Sequence, residues 1–117
     1  WHCDLMDVMA NQGATKSTKL DMMASAIGLP GKIGACGSEV QSLYEAGQIE
    51  RIRSYCECDL LNLYGLYIRW CLVTGRIGIE AHDTAFSDLA SYLEKGKAMK
   101  PHFAEFLDRW DSHQIAA

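Results

Sequence analysis

Apolar residues recur at three- and four-residue steps along almost the whole chain, and no alternating or β-branched run is long enough to make a strand. The pattern predicts an all-α chain of about five helices. Asp4 is placed to cap a short helix from Leu5 to Ala10 that Gly13 ends, and Ser17 or Thr18 to open another through Leu20, Met23 and Ile27, stopped at Gly28 before Pro30. A glycine-punctuated loop, Gly31 to Gly37, leads to Ser38-Glu39-Val40-Gln41, a capping-box spacing that opens a helix to Ala46. The longest periodic run, Gln48 to Thr74, carries Ile49, Ile52, Cys56, Leu60, Leu63, Tyr67 and Trp70 in helical step, with Leu61, Ile68 and Leu72 on another side. Only a narrow polar strip of Arg51, Ser54, Asn62 and Arg69 remains, so this central helix is expected to be buried on two sides. Further helices are predicted from Glu80 to Glu94, by Phe86, Leu89 and Leu93, and after Pro101, by Phe103, Phe106, Leu107 and Trp110. Residues Ser112 to Ala117 are expected to fray.

At 117 residues the chain has the length of one domain, and no linker or repeat divides it, so 1–117 reads as a single unit. Eleven Lys and Arg against fifteen Asp and Glu give a net charge of −4, which excludes a generally basic coat for nucleic acid and leaves only local contacts. With 49% hydrophobic residues, the chain is too apolar for disorder, and its charges are too interspersed for a membrane span. Cys3, Cys36, Cys56, Cys58 and Cys71 are odd in number and irregular in spacing, which fits reduced thiols better than disulfides or zinc. The start, Trp1-His2-Cys3-Asp4, shows neither a signal peptide nor an initiating Met; a cytoplasmic location and a fragment of a longer protein are the expectations.

On the central helix Tyr55 and Asp59 lie four residues apart on one face, at the edge of an apolar stripe. A carboxylate there needs a cation, a metal or hydrogen-bond donors nearby, because burying it alone is unfavourable by several kcal/mol. The spacing leaves two alternatives: a metal-ligand carboxylate with a tyrosine that positions water, or an Asp paired with a local cation such as Arg53. Other candidates carry less. Cys56 and Cys58 point about 200° apart on a helix and read as packing residues. His82, His102 and His113 lack companion ligands and read as surface or capping residues, and His2 near Asp4 is a slightly better ligand candidate. Lys95, Lys97 and Lys100 with His102 form a short basic run that reads as a solvated loop before a phosphate contact, and Lys32 follows glycines without P-loop spacing. Trp70, Tyr64, Phe103 and Trp110 are expected in the core before any base-stacking role.

A set of motifs then narrows the choice. Gly28-Leu29-Pro30-Gly31-Lys32, Gly37-Ser38-Glu39-Val40, Tyr44 through Gly47 with Ile49 and Ile52, and Tyr55-Cys56-Glu57-Cys58-Asp59-Leu60-Leu61-Asn62-Leu63-Tyr64 with Tyr67 and Arg69 keep their order and spacing. Together with His2-Cys3-Asp4-Leu5-Met6-Asp7, they resemble the predicted 3′-to-5′ exonucleases related to the proofreading domain of family B DNA polymerases. The resemblance covers residues 1–77, leaving 78–117 as trailing helices. It implies a DEDD exonuclease on the α/β ribonuclease H-like fold, in which the tyrosine of Y-x-x-x-D orients the attacking water and the aspartate binds a catalytic metal. Those roles fall on Tyr55 and Asp59, with Asp59 the metal ligand. The implied cofactors are two Mg²⁺ or Mn²⁺ ions, held by hard oxygen ligands.

The family pattern also needs an Asp-x-Glu pair on a first strand and another Asp in a second motif, and no D-x-E string occurs in the chain. The resemblance therefore implies a C-terminal helical half of the domain, whose remaining carboxylates and sheet lie upstream and which is inactive alone. The expected partner is a nucleic-acid 3′ end, single-stranded DNA ahead of RNA, with no membrane, and the apolar sides of the central helix favour self-association. The competing reading is a non-catalytic helical interaction module, in which Asp59 belongs to a structural ion pair.

Overall fold

The structure is a computed structural model that describes Leu5, residues 19–31 and residues 39–116, with side chains through Trp110. Five helices follow one another: α1 Leu20–Ala26, α2 Val40–Glu45, α3 Ile49–Val73, α4 Ile79–Gly96 and α5 Pro101–Ala116. No strand occurs among the described residues, so the all-α expectation holds for them. The backbone of α5 is helical through Ala116, past the point where fraying was expected. The expected first helix beyond Leu5, the 32–38 part of the loop, His2, Asp4, Cys3, Cys36, Lys32 and the side chain of His113 lie outside the described residues.

The helix ends follow the glycine and proline punctuation, but the expected caps do not: α1 is preceded by Lys19 rather than Ser17 or Thr18 and α2 by Glu39 rather than Ser38, neither with a side-chain cap bond. Pro101 opens α5, where its missing N–H is no loss. Past α3, Gly75 takes a φ of 77°, a left-handed conformation that side chains avoid, while Thr74 donates its hydroxyl to the Trp70 carbonyl, 2.8 Å away.

The 25-residue α3 is the spine, in contact with each of the other four helices. The α4 residues Leu89 and Leu93 and the α5 residues Phe103, Phe106 and Trp110 form one core with Cys58 of α3, Ala24 of α1 and Leu29 beyond it. Burial of these side chains, about 1.5 to 3 kcal/mol for each large one, is what holds the helices together. Aromatic rings extend the core: Phe86 lies 5.8 Å from Trp110, and Phe106 lies 6.1 Å from it. Phe103 and Trp110 are thus core residues as expected, whereas Tyr64 is 45% exposed.

The buried face of α3 is not the predicted one. Cys58, Asn62, Gly65, Leu66 and Cys71 are buried, while Ile49, Leu60 and Tyr67 of the predicted stripe are exposed, as is Cys56. The reason is close approach. Leu29 lies directly over Gly65, where an added Cβ would stand 2.6 Å from Leu29 Cδ1. Hydropathy periodicity counts neither a glycine that admits a neighbour nor an amide that binds one. Asn62, placed by its polarity in the solvent strip, is 2% exposed and hydrogen-bonded.

Candidate functional site

Tyr55, Asp59 and Asn62 step along one face of α3, at i, i+4 and i+7. Tyr55 is half-buried, Asp59 exposed and Asn62 buried, so the face runs from solvent into the packing with α1. Arg53, the cation offered as partner for Asp59, instead pairs with Glu50 at 3.2 Å. No ion pair among the described residues involves Asp59. Its carboxyl is pushed above the usual range, first by burial and then by the Asp21 carboxylate on α1. A carboxylate that borders another carboxylate without a described cation is suited to receive a cation or a proton.

The segment after α1 is bolted to this face by Asn62. Gly31 N–H donates to Asn62 Oδ1 at 3.1 Å, and Asn62 Nδ2 donates to the Gly31 carbonyl at 2.6 Å and to the Cys58 carbonyl at 3.1 Å. No buried side-chain nitrogen or oxygen among the described residues is left without a partner. On the side away from Asp59, Glu57 accepts from Lys100 Nζ at 3.1 Å and contacts His102 Nε2 at 2.7 Å, which ties α3 to the start of α5. The His102 hydrogen bond, ahead of Lys100, holds the Glu57 carboxyl below its usual range. Burial and the carboxylates of Glu105, Glu57 and Asp59 push the Cys58 thiol up to about 11, so it is an inert packing group. Cys56 is exposed and Cys58 buried, as their opposed directions on a helix predict.

Two histidine expectations need correction. His82 is not a surface residue. It is buried, accepting at Nε2 from Arg69 Nε at 3.0 Å, and because Arg can only donate, the ring proton lies on Nδ1, 3.0 Å from Asp83 Oδ1. His102 is likewise occupied with Glu57. Within the basic run, Lys97 pairs with Glu94 at 2.7 Å and Lys100 with Glu57, which leaves less of that charge for a phosphate.

Beside the Tyr55–Asp59 face, α3 also borders a cleft of about 310 Å³ lined by Leu5, Leu60, Leu63, Tyr64 and Tyr67. Sequence reasoning brought Tyr55 and Asp59 together correctly as helical neighbours, but missed Asp21 and Asn62. No local signal marks Asp21, whose place depends on how α1 packs, and the polarity of Asn62 points to the solvent strip rather than to the buried position it takes.

No curated protein and no solved structure matches the chain. A family model does, over residues 1–110, beyond the 1–77 of the sequence resemblance and across α4 into α5. Its description is a predicted 3′-5′ exonuclease related to the exonuclease domain of PolB, and the helical structure accords with such a domain, so the chain belongs to that family.

Proposed function

We propose that this chain is the C-terminal helical part of a metal-dependent 3′-5′ exonuclease domain acting on nucleic-acid 3′ ends, single-stranded DNA before RNA. The observation that carries the proposal is the Tyr55–Asp59 face on α3, in a chain whose family is exonuclease-related, with Asp59 exposed and joined to no described cation. Divalent metals are usual for PolB exonuclease-like domains. Among the described residues no three His, Cys, Asp or Glu side chains converge on one point, so these residues do not complete such a centre. Asp59 fits as one hard oxygen ligand, and the remaining carboxylates would come from outside the described residues. A pair of such ions, when bound, polarises the phosphate and supplies hydroxide. In this reading Asp59 holds its carboxylate toward the ions, and the Tyr55 phenol, one turn earlier, orients the attacking water. By itself the chain turns over little substrate, because one carboxylate is too few for Mg²⁺ or Mn²⁺.

The test is single-turnover release of nucleotides from a 3′-labelled strand with Mg²⁺ or Mn²⁺ by the full-length protein. Asp59→Asn is expected to lower the rate by orders of magnitude with melting preserved. Tyr55→Phe is expected to cost less, about 10²-fold, since it removes only a positioning hydroxyl. Cleavage by Asp59→Asn at the parent rate would overturn the assignment. Absence of cleavage by the parent would instead leave the second reading, a non-catalytic interaction module, which the exposed apolar cleft along Leu60, Tyr64 and Tyr67 favours.

A further inference from the structure

Arg69 of α3 and His82 of α4 join the two helices through side chains. Arg69 is partly buried, and its Nε donates to Nε2 of His82, which is 6% exposed. The His82 ring is held in turn by Asp83 Oδ1, 3.0 Å from the other ring nitrogen, and by the Phe86 ring, 4.6 Å away between centroids. The Arg69 guanidinium lies 5.9 Å from the centre of the same Phe86 ring, within reach of its negative face. The partner of Arg69 is a neutral one. Arg53, Lys97, Lys100 and Arg109 each face a carboxylate, whereas the imidazole fixes the Arg69 guanidinium without cancelling its charge. Neither Nη of Arg69 takes a partner among the described residues, and since no buried side-chain nitrogen there is left unsatisfied, both Nη groups reach solvent.

We propose that Arg69 is a phosphate contact for a single-stranded nucleic acid, presented by His82. A planar fork of N–H donors, fixed in its plane and with its charge uncancelled, matches the paired oxygens of a phosphate. His82 is the positioning residue: it touches no ligand and sets the direction of the two open Nη groups. The net charge of −4 leaves room only for local contacts of this kind, and membership of an exonuclease-related family makes a strand's backbone the fitting source of the phosphate. The inference rests on the nucleic-acid part of the proposed function and on none of its metal chemistry.

The test is fluorescence anisotropy of a labelled oligothymidylate with the full-length protein in EDTA, which withholds metal, over a series of salt concentrations. The parent is expected to bind the strand. Arg69→Gln is expected to weaken binding about tenfold and to lower the slope of log Kd against log salt by about 0.7, the share of one phosphate on a single strand. His82→Phe, which keeps a ring against Phe86 but removes the acceptor, is expected to weaken binding less and to keep the slope, since the charge stays. Arg69→Lys is expected to do likewise and, with His82→Phe, carries the test if Arg69→Gln fails to fold. Lys95→Gln, about 20 Å from His82 along α4, removes the same charge and is expected to bind like the parent. Inorganic phosphate at matched ionic strength is expected to displace little of the strand; complete displacement would make the free ion the ligand and overturn the assignment to a strand. Parent-like affinity in Arg69→Gln, or in Arg69→Lys and His82→Phe together, overturns the proposal, as does an equal loss in Lys95→Gln or a parent that binds no strand. Parent-like binding by the Arg69 variants leaves the Asp59 assignment standing, and parent-rate cleavage by Asp59→Asn leaves this one standing, so the two fail separately.

Discussion

Glu57 and Asp59 stand two positions apart on α3, and their carboxyls are displaced in opposite directions. The difference lies in what each faces. Glu57 meets His102, through a hydrogen bond, and the Lys100 ammonium, which favour its charged form, whereas Asp59 meets partial burial and the like charge of Asp21. The signs carry through to stability. A carboxyl lowered by folding stabilises the protein above its ordinary value, near 4.5 for Glu57, and that contribution disappears as the pH falls through the lower folded value. Melting temperature is therefore expected to drop on acidification below about pH 4.5, less steeply in Glu57→Gln, with a loss at neutral pH of no more than about 1 kcal/mol for so accessible a pair. A parent and Glu57→Gln with the same acid slope would remove this bond from the account. For Asp59 the sign reverses: folding binds the proton more tightly, so ionisation above the folded value weakens the fold. Asp59→Asn is expected to melt at or above the parent temperature at pH 7. A much lower melt would identify Asp59 as a structural partner rather than a residue held in readiness for a cation.

Between elements, the contact that decides the architecture is the approach of Leu29 to Gly65. Alanine in place of Gly65 would gain about 1 kcal/mol of helix propensity but would press a methyl group into a leucine that has nowhere to go, a cost of about 1 to 3 kcal/mol. The second effect wins, and Gly65→Ala is expected to lower stability by about 1 kcal/mol. In a Leu29→Ala background the same change should be neutral or favourable, because the clash is gone; equal effects in both backgrounds, read from denaturant midpoints, would refute the contact. This packing also explains what could be read from the chain. The extents of α3, α4 and α5 were legible because glycines and Pro101 punctuate long helical periods. The buried side of α3 was not, because apolar residues surround that helix almost completely and its true docking face is made of Gly65, Asn62 and Cys58. Tyr55 and Asp59 share a face by spacing within one helix, so that part of the site was visible. Asp21 joins it only through the packing of α1 on α3, which no local pattern encodes.

Across the whole molecule, the described helices close one core but leave an apolar strip of α3 uncovered. Leu60 is 63% exposed, Tyr64 45% and Tyr67 40%, and they line the cleft that Leu5 enters. Met22 on α1 is exposed as well. Scattered apolar residues on a surface need no explanation, but a strip of this kind along one helix marks a surface that meets a partner. In the exonuclease reading the natural cover is the sheet of the same domain, since helices of α/β folds bury one side against strands. Without that cover, copies of this chain are expected to meet through the strip. Sedimentation velocity should show association that grows with concentration. Leu60→Lys combined with Tyr64→Lys should return the chain to a monomer with little change in melting temperature, since both side chains are already exposed. A parent chain that stays monomeric at high concentration and melts in one sharp transition would mean that the strip needs no partner, and the argument for a covering sheet would lose its physical basis.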